Sequence, residues 1–519
     1  MRQPPSLIIA LALVPIVLVL SCKPRILIEK KPASAGDPPG GPRIVPAAEP
    51  TPLKSPNIIF VLTDDLSLNL LQFMPHVLKM ERNGATFANY FVTDSLCCPS
   101  RSSIFTGEFP HNTGVFRNFE PDGGYGGFNA HGNEPNTFAV ALQRIGYKTA
   151  MLGKYLNGYE PTRNGPAMGW NEWDVGGLGY PEFNYALNEN GTVVYHGMKP
   201  RDYLTDVLSR AAVKFIQKSQ GAPFFIEIAT FAPHFPYIPA PRDARAFPGL
   251  LAPRTPAFNA APDANAAKWL ITYPPLTKAR IDLIDRKFRM RARSVLAIDQ
   301  MIGNLRAAVA AAGEEKNTYL VFSSDNGIHM GEHRLMPGKL TAFDTDIHVP
   351  LVVTGPGVAP AHIINEVVEN IDLCATFAEL AGAGVPATVD GRSLVPLLRG
   401  AQVPEWRTLA LIEHHGPPVE RMNEDDPDVP ARRSGNPPSY EAIRSRDSVY
   451  VEYDDGTREY HEYASDPYEL RNTFSTLSPG AKASLHAAVD ALRICRGTQA
   501  CWQAARPSKN PERVESPAR

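Results

Sequence analysis

Four short apolar runs in this chain share a feature that limits the fold: each ends on a polar or charged group. NIIFVLT is followed by Asp64, YKTAMLG by Lys154, PFFIEIATFAP by His234, and TYLVFSS by Asp325. Uninterrupted apolar runs of this length are typical of strands buried on both faces, as in a parallel sheet. Because the ligand site of such a sheet lies beyond the carboxyl ends of its strands, we expect the four polar endings to face one edge.

Segments with helical spacing lie between these runs. Apolar residues recur at i, i+3 and i+4 in NTFAVALQRIG, in YLTDVLSRAAVKFIQ and in ARSVLAIDQMIGNLRAAVAAAG, which ends at Gly313. Alternating strands and helices predict an α/β fold with a large, mostly parallel mixed sheet flanked by helices. After about residue 400, strand patterns surround the turn dipeptide Asp455-Gly456, and a helical pattern follows in PGAKASLHAAVDALRIC. This predicts a smaller C-terminal domain of antiparallel sheet plus helix.

The N-terminus has the layout of an export signal. Arg2 precedes an apolar stretch from about Leu7 to Leu20, and Cys22 closes it. The stretch is too short and badly flanked for a spanning helix, so it predicts a signal peptide. Its ending VLSC is similar to a bacterial lipobox, and both a lipid anchor at Cys22 and simple release stay open. The predicted boundaries are 1–22 for the signal peptide, 23–54 for a Pro/Ala/Gly-rich linker, 55–400 for the catalytic domain, 401–505 for the smaller domain and 506–519 for a disordered tail.

The charge balance limits the partners. The net charge is only −2 over 519 residues, and charged residues make up 20% of the chain. Nucleic-acid binding usually requires a strongly basic surface, so no nucleic-acid partner is expected. An anionic substrate would have to be bound by a local basic pocket.

The cysteines differ in their surroundings. Cys495 and Cys501 lie six apart in CRGTQAC, and in an exported chain this spacing predicts a local disulfide. Cys97 and Cys98 stand side by side before Pro99, a favoured first residue of a helix. Cys97 is therefore expected at a helix N-terminus, where free N–H groups favour anions. A low-pKa reactive thiol and two buried cysteines are the other interpretations of this stretch.

Oxygen ligands follow two of the predicted strands. Asp64 and Asp65 belong to TDD, and Asp325 and Asn326 belong to SDNG. Each pair alone could form a turn or cap a helix. Together at one sheet edge they supply three carboxylates and an amide oxygen, which suit Ca²⁺ or Mg²⁺ better than zinc.

Basic side chains near these motifs have two interpretations each. Lysines and arginines are usually solvated surface charges, and a histidine can be a core residue. At the predicted sheet edge they would instead meet an anion. The residues concerned are Arg101, Lys154, Lys339 and His234. His414 and His415, in IEHHG, follow a short apolar run and are expected at the rim of the site.

The motifs together resemble one family. CCPSR fits the sulfatase signature Cys-x-Pro-Ser-Arg, and SSIFTG continues it. The order of the motifs also matches that family: TDD comes first, then the cysteine motif, then GK, then APH, and last SDNG followed by a lysine. Further stretches resemble the N-acetylglucosamine-6-sulfatase branch of the family: EPNTF, GKYLNGY, DYLTDVL, SDNGIHMGEHRLMPGK and FDTDIHVPLVVTGPG. The likeness covers roughly residues 56–503.

The resemblance implies which cysteine is the nucleophile. The signature places it two positions before the proline, so Cys97 would be oxidised to Cα-formylglycine by a formylglycine-generating enzyme during export. Cys98 would be a packing residue. A sulfated serine or cysteine has no easy way to release sulfate. The aldehyde hydrate can lose a proton from its second hydroxyl, expel sulfate and restore the aldehyde.

The resemblance also implies the roles of the other motif residues. One Ca²⁺ ion would be bound by Asp64, Asp65, Asp325, Asn326 and the modified Cys97. Arg101 would steady the formylglycine, Lys154 and Lys339 would meet the sulfate charge and bridging oxygen, and His234 would be the general acid. Many sulfatases have a histidine where this chain has Leu156. The base that deprotonates the second hydroxyl is therefore not identified.

The expected function is hydrolysis of sulfate esters, with the 6-O-sulfate of N-acetylglucosamine-type sugars as the expected substrate. Three alternatives stay open: an arylsulfatase of other specificity, a phosphoester or phosphonate hydrolase of the same superfamily, and a non-catalytic glycan-binding relative. The expected location is the bacterial cell envelope if Cys22 is lipidated, and the exterior if the chain is released.

Overall fold

The structure is a computed structural model, and it describes residues 55–416 and 433–506. The predicted signal peptide, the anchor position Cys22, the linker 23–54 and all but the first residue of the predicted tail lie outside the described residues. None of the described helices combines the length and apolar character needed to cross a membrane.

A ten-stranded mixed sheet forms the centre of the structure. In chain order its strands are β1 (Asn57–Thr63), β2 (Ala85–Phe91), β3 (Lys148–Lys154), β4 (Glu172–Gly176), β5 (Tyr185–Glu189), β6 (Thr192–His196), β7 (Phe224–Ala229), β8 (Thr318–Ser324), β9 (Leu351–Thr354) and β10 (His362–Glu369). Their order in the sheet is β10-β2-β9-β8-β1-β7-β3-β4-β5-β6. The run from β8 to β4 is parallel, whereas β9 and β5 are antiparallel to both of their neighbours.

Helices cover both faces of this sheet. The α-helices of the described residues, including those of the smaller C-terminal region, are α1 (Pro75–Asn83), α2 (Cys97–Thr106), α3 (Pro110–Thr113), α4 (Gly124–Ala130), α5 (Phe138–Arg144), α6 (Leu204–Lys218), α7 (Lys268–Ile271), α8 (Lys278–Ala311), α9 (Asp344–Ile347), α10 (Asp372–Ala381), α11 (Val395–Leu398), α12 (Pro479–Leu492) and α13 (Thr498–Ala504). Alternate residues of β1 point to opposite faces. Ile59 and Val61 pack in one core with α1, α6 and α8, and Phe60 packs in the other with α2, α5 and α10.

The predicted large, mostly parallel mixed sheet flanked by helices is confirmed. The four apolar runs are β1, β3, β7 and β8, and they lie side by side in the parallel part of the sheet. Their carboxyl ends therefore meet at one edge. The helical pattern that ends at Gly313 belongs to the longer helix α8, which begins at Lys278 after Thr277, whose side chain caps it by accepting from the Arg280 N–H.

The region after residue 400 forms a smaller antiparallel sheet with helices, also as predicted. Its strands are β11 (Ala410–His414), β12 (Tyr440–Arg444), β13 (Ser448–Tyr453) and β14 (Arg458–Glu462). Leu411 and Ile443 pack against Val489 and Leu492 of α12. The N–H of Glu413 donates to the Thr93 carbonyl, which ties β11 to the segment that precedes α2. The domain boundary at residues 400 and 401 stays a prediction.

Candidate active site

Two consecutive aspartates leave the end of β1 and both face the site. Side chains normally alternate between the two faces of a strand. Asp65 breaks this alternation because its backbone is left-handed, with φ 62°, a conformation that aspartate tolerates better than most residues. Both carboxylates are fully buried. Asp325, which follows β8, accepts a hydrogen bond from the Asp65 N–H at 3.1 Å and so joins the two strand ends.

Cys97 is the first residue of α2 and points into this group of carboxylates. Its thiol donates to Asp64 Oδ1 at 3.3 Å, and Lys339 Nζ donates to Sγ at 2.9 Å. Cys98 lies in a different environment, within the apolar core beneath the sheet edge, where burial raises the pKa of its thiol to about 12. The two adjacent cysteines are thus separated into one that faces charged groups and one that packs.

Three cations pair with the three carboxylates. Lys154 Nζ lies 2.6 Å from Asp64 Oδ2, Lys339 Nζ lies 2.6 Å from Asp65 Oδ1, and Arg101 Nε lies 2.8 Å from Asp325 Oδ2. Burial acts to lower the pKa of Lys154, but Asp64 and Cys97 outweigh it and hold that pKa well above its usual value. The pKa of Arg101 is raised for the same reason, with burial opposed chiefly by Asp325. The site therefore holds three cationic side chains in fixed positions, each balanced by one carboxylate.

The same residues fit a hard divalent cation. Ligand atoms of Asp64, Asp65, Cys97 and His234 all lie within 4.8 Å of one another. Asn326 Nδ2 donates to Asp65 Oδ1 at 2.6 Å, which adds the amide to the group. Asp65 Oδ2 and Asn326 Oδ1 are buried and have no hydrogen-bond partner among the described residues. Oxygen atoms of this kind are the ligands that Ca²⁺ prefers.

His234 is oriented by its own neighbour. Its Nδ1 lies 2.7 Å from the Phe235 carbonyl, so Nδ1 carries the proton, and Nε2 lies 3.6 Å from Asp65 Oδ2. The Tyr180 ring packs 4.6 Å from the imidazole and 5.0 Å from Lys154 Nζ. Tyr180 was not predicted, because it lies in a glycine-rich loop without a recognisable motif. Leu156 is buried in the apolar core, so no titratable group occupies that position.

His414 and His415 lie in different places. His415 is the partly exposed one: it stacks on Phe116 at 3.5 Å, and its Nδ1 lies 2.8 Å from Asp122 Oδ2. His414 was expected at the rim but is buried, because β11 is held against the segment before α2. Burial lowers the pKa of His414 to about 3, so it is neutral.

Asp94 is a buried acid beside His414 that the sequence did not indicate. Its Oδ1 lies 3.8 Å from His414 Nδ1. The carboxyl oxygens of Asp94 and the ring nitrogens of His414 are buried without a hydrogen-bond partner among the described residues. Burial, followed by the charge of Glu413, raises the pKa of Asp94 well above its usual value, and Lys339 opposes the rise. Lys339, which contacts Cys97, is thus the cation that acts on Asp94.

The predicted catalytic and metal-binding residues are thus brought together at one sheet edge. Cys495, which follows α12, and Cys501, which lies in α13, are not part of this group and form a disulfide with each other. Its loop is fixed by His111, whose Nε2 lies 2.8 Å from the Cys495 carbonyl and whose Nδ1 contacts Glu413.

Comparisons with known proteins agree with this geometry. Residues 56–383 match the sequence model of the family described as Sulfatase, and residues 331–479 match that described as N-sulphoglucosamine sulphohydrolase, C-terminal. An N-acetylglucosamine-6-sulfatase of Capra hircus is 33% identical over 515 residues, which cover 88% of this chain and 91% of that protein. An extracellular sulfatase SULF-1 homolog of Drosophila melanogaster is 35% identical over 378 residues, 70% of this chain and 33% of that protein.

A solved structure has a similar fold. It is the structure of a protein in complex with its substrate D-glucosamine-2-N,6-O-disulfate. The two folds superpose with a TM-score of 0.71 over 88% of this chain and 100% of the other, at 22% sequence identity. At this identity the likeness establishes the fold alone.

Proposed function

The chain belongs to the sulfatase family and is a sulfuric ester hydrolase; from this premise we propose that it removes the 6-O-sulfate of N-acetylglucosamine-type sugars. The observation that carries the proposal is the position of Cys97. It opens a helix, and its sulfur lies between Asp64 Oδ1 at 3.3 Å and Lys339 Nζ at 2.9 Å.

Cys97 is the residue we propose to be oxidised to Cα-formylglycine during export. Sulfatases use the hydrate of this aldehyde as the nucleophile, and the aldehyde re-forms when sulfate leaves. The choice of Cys97 over Cys98 is supported by their surroundings, since only Cys97 contacts both a carboxylate and a lysine. Arg101 is anchored by Asp325 and by the Lys154 carbonyl, which it reaches at 2.9 Å. This rigid arginine would steady the modified side chain.

Ca²⁺ is the proposed metal, and its proposed ligands are Asp64, Asp65, Asp325, Asn326 and the modified Cys97. When bound, the ion would polarise the sulfate oxygens and the nucleophile. The chain's contribution is to hold these oxygens together before the ion arrives, through the hydrogen bonds that link Asp65 to Asp325 and Asn326.

Lys154 and Lys339 are the proposed partners of the sulfate group. Each is buried and paired with one aspartate, so its ammonium is fixed at the site. His234 is the proposed general acid, because its Nδ1 is bound to a carbonyl and its Nε2 faces the cluster. Acid catalysis contributes about 10²–10⁴-fold. To hydrolyse so inert an ester, the enzyme must lower the activation free energy by on the order of 20 kcal/mol. Electrostatic stabilisation of the transition state by the metal and the lysines would supply most of what acid catalysis does not.

The substrate assignment depends on a different set of residues. A 6-O-sulfate projects from the sugar ring on a methylene, so it can enter a narrow pocket while the ring stays outside. Asp94 and His414 have buried polar atoms without a hydrogen-bond partner among the described residues, and His415 offers a partly exposed aromatic face. These groups would bind ring hydroxyls or the N-acetyl group. The Capra hircus relative is named as an N-acetylglucosamine-6-sulfatase, and the substrate in the solved complex is D-glucosamine-2-N,6-O-disulfate. Both names support this choice.

Export is the proposed location. It is supported by the N-terminal signal pattern, by the Cys495–Cys501 disulfide and by the extracellular relative. The proposed partners are a sulfated carbohydrate and the formylglycine-generating enzyme, and Cys22 is the proposed position of a lipid anchor.

Sulfate release measured by ion chromatography tests this function. We expect rapid release from N-acetylglucosamine 6-sulfate at a non-reducing end and much slower release from 3-O- or 2-O-sulfated sugars. Equal rates at every position, or activity confined to aryl or choline sulfate, would remove the 6-O-sulfate assignment. A paired comparison of an aryl sulfate with the matching aryl phosphate and phosphonate separates the sulfatase from a phosphoester hydrolase. Sugar binding without sulfate release would indicate a non-catalytic relative.

A further inference from the structure

Lys339 is held at the site by a loop that is hydrogen-bonded on both sides of the lysine. Before it, Gly338 and His329 exchange two backbone hydrogen bonds, at 2.9 Å and 3.2 Å. After it, the Thr341 N–H donates to Asp346 Oδ2 at 3.2 Å, and the Thr341 hydroxyl donates to the same oxygen at 2.5 Å. Lys339 therefore lies between two anchors, one at His329 and one at Asp346.

The two anchors are joined to each other. His329 Nδ1 lies 3.1 Å and 3.0 Å from the two carboxylate oxygens of Asp346, and both side chains are fully buried. His329 Nε2 lies 2.8 Å from the carbonyl oxygen of Ser434, in the segment that precedes β12. The imidazole thus closes the loop around Lys339 and fastens it to the smaller C-terminal region.

The hydrogen-bond partners fix the charge of His329. Asp346 also accepts from the hydroxyls of Thr341 and Thr345, so its oxygens act as acceptors and the carboxylate is ionised. The partner of the other ring nitrogen is the Ser434 carbonyl, which can only accept. An imidazole donates from both nitrogens only when it is protonated. His329 and Asp346 therefore form a buried ion pair.

The backbone on either side of Lys339 depends on this pair. A Cβ at Gly338 would lie 2.2 Å from the Ser434 carbonyl oxygen and 3.0 Å from His329 Nε2, so glycine is needed to leave room for their hydrogen bond. Leu340 has a left-handed backbone with φ 77°. Such a conformation costs free energy in a residue with a side chain, and it persists only where its surroundings hold it. The bonds at the two anchors supply that restraint.

We propose that the His329–Asp346 ion pair positions Lys339, with His329 as the positioning residue. From the loop that this pair closes, Lys339 Nζ reaches Cys97 Sγ at 2.9 Å and Asp65 Oδ1 at 2.6 Å. The hydrogen bonds of His329 go to the loop and its anchors, so its effect on the reaction passes through the orientation of Lys339. This inference rests on the proposed role of Lys339 in binding the sulfate group.

The direction of the pH dependence of stability follows from the charges around His329. Burial acts to lower the pKa of His329, but Asp346 outweighs it, with a smaller contribution from Glu332, and the pKa is raised above its usual value. His333 is neutral, because burial lowers its pKa to about 3. The folded chain therefore binds the His329 proton more tightly than the unfolded chain does. The stability gained from the pair is fully present below about pH 6.5 and is lost as the pH rises through the raised pKa.

His329→Gln removes the charge and keeps a polar side chain. With an activated aryl sulfate as substrate, we expect kcat to fall roughly 10-fold, since small misplacements of a catalytic group cost this much or more. Thr341→Val removes one bond at the other anchor and should lower kcat in the same direction, so it carries the test if His329→Gln does not fold. Rates are compared per modified protein, counted by mass spectrometry of the Cys97 peptide. Unchanged kcat in the folded variants would overturn the proposal.

A double-mutant cycle decides whether His329 acts through Lys339. Lys339→Ala lowers kcat by itself. In that background His329→Gln should change kcat less than about two-fold, because the group that it positions is gone. An equal fall in both backgrounds would mean that His329 acts independently of Lys339, and the proposal would be wrong.

His348→Gln is the matched control. His348 forms a similar pair with Asp344, with Nδ1 at 3.0 Å from Oδ2, in the same segment as Asp346. Asp344 in turn accepts from Arg444 of β12, so this pair is anchored to the smaller sheet. The variant should keep the wild-type kcat. A fall equal to that of His329→Gln would mean that any damage to this segment lowers kcat, which would overturn the specific role of His329.

Unfolding in urea tests the ion pair without turnover. The destabilisation caused by His329→Gln should be smaller in an Asp346→Asn background than in the wild-type protein, and smaller at about pH 9 than at about pH 6. Equal destabilisation in all these cases would overturn the ion pair. If the wild-type protein released no sulfate from any ester, the proposed function would fail while this measurement still tested the pair.

Discussion

Two polar regions meet at the carboxyl edge of the large sheet, and they are built in opposite ways. In the first, which we call the paired cluster, every carboxylate has its own cation. Its members are Asp64, Asp65, Asp325, Lys154, Lys339 and Arg101. In the second, the Asp94–His414 pair, the carboxyl oxygens and ring nitrogens are equally buried but have no hydrogen-bond partner among the described residues.

The difference indicates which region is held in place by its own ion pairs. Ion pairs at 2.6–2.8 Å hold the paired cluster in one geometry, as a site that stabilises developing charge requires. Buried groups without partners are costly until a ligand pairs with them, and they reject ligands that cannot. We infer that the paired cluster performs the chemistry on any sulfate ester, whereas the Asp94–His414 pair selects the sugar.

The largest expected effect comes from Cys97. Cys97→Ala removes the proposed nucleophile, so sulfate release from every substrate should fall below detection. In the wild-type protein, mass spectrometry of the peptide spanning Ser95 to Arg101 should show loss of H₂S and gain of oxygen at residue 97. Cys98→Ala is the control and should stay modified and active, because Cys98 packs in the apolar core. A modification on residue 98, or active protein without any modification, would refute the assignment.

The next largest effect is expected for Asp325. Asp325→Asn keeps the size of the side chain but removes the charge that binds both the metal and Arg101. We expect about 10³-fold lower kcat on sugar and aryl sulfates alike, together with loss of bound Ca²⁺ measured by mass spectrometry of the metal. Asp299→Asn is the control, since Asp299 is also buried but accepts hydrogen bonds from the His76 and Val77 N–H groups. Full activity of Asp325→Asn, or of wild-type protein after exhaustive chelation, would exclude the calcium site.

The paired cluster could be predicted from the sequence because its residues stand directly after apolar strands. The position of Asp64 follows once β1 is recognised, and that of Asp325 follows from β8. Lys154 likewise follows from β3. The motif resemblance then adds Arg101 and Lys339, which come from other segments. Long-range pairings of this kind are not visible in any single stretch.

The positions of Asp94 and His414 in the site could not be predicted from the sequence. His414 was placed at the rim because IEHHG follows an apolar run, but the hydrogen bond from Glu413 to Thr93 draws the end of β11 inward. Asp94 belongs to no motif, and its environment depends on that same contact.

A smaller and selective effect is expected for the Asp94–His414 pair. Asp94→Asn and His414→Gln should lower kcat/KM for N-acetylglucosamine 6-sulfate by about 10- to 100-fold, as expected when one or two hydrogen bonds to a sugar are lost. The rate with a small aryl sulfate should change little, because that substrate does not need the pair. The test is the ratio of kcat/KM for the sugar sulfate to kcat/KM for the aryl sulfate, measured for each variant and for the wild-type protein. Equal losses of kcat/KM with both substrates would mean that the pair takes part in the reaction itself. The two regions would then not differ in role.

The smallest effect is expected for His415, which is partly exposed and already has partners. Its ring stacks on Phe116 and its Nδ1 contacts Asp122, so a sugar would gain only an aromatic face and one remaining nitrogen. We expect His415→Ala to raise KM for the sugar sulfate about three-fold with kcat and the aryl sulfate rate unchanged, since exposed contacts contribute less than buried ones. His415→Phe keeps the stacking face and should recover part of the loss. A loss as large as that of His414→Gln would mean that selection occurs at the exposed rim, and the buried pair would then not be the main determinant of the sugar.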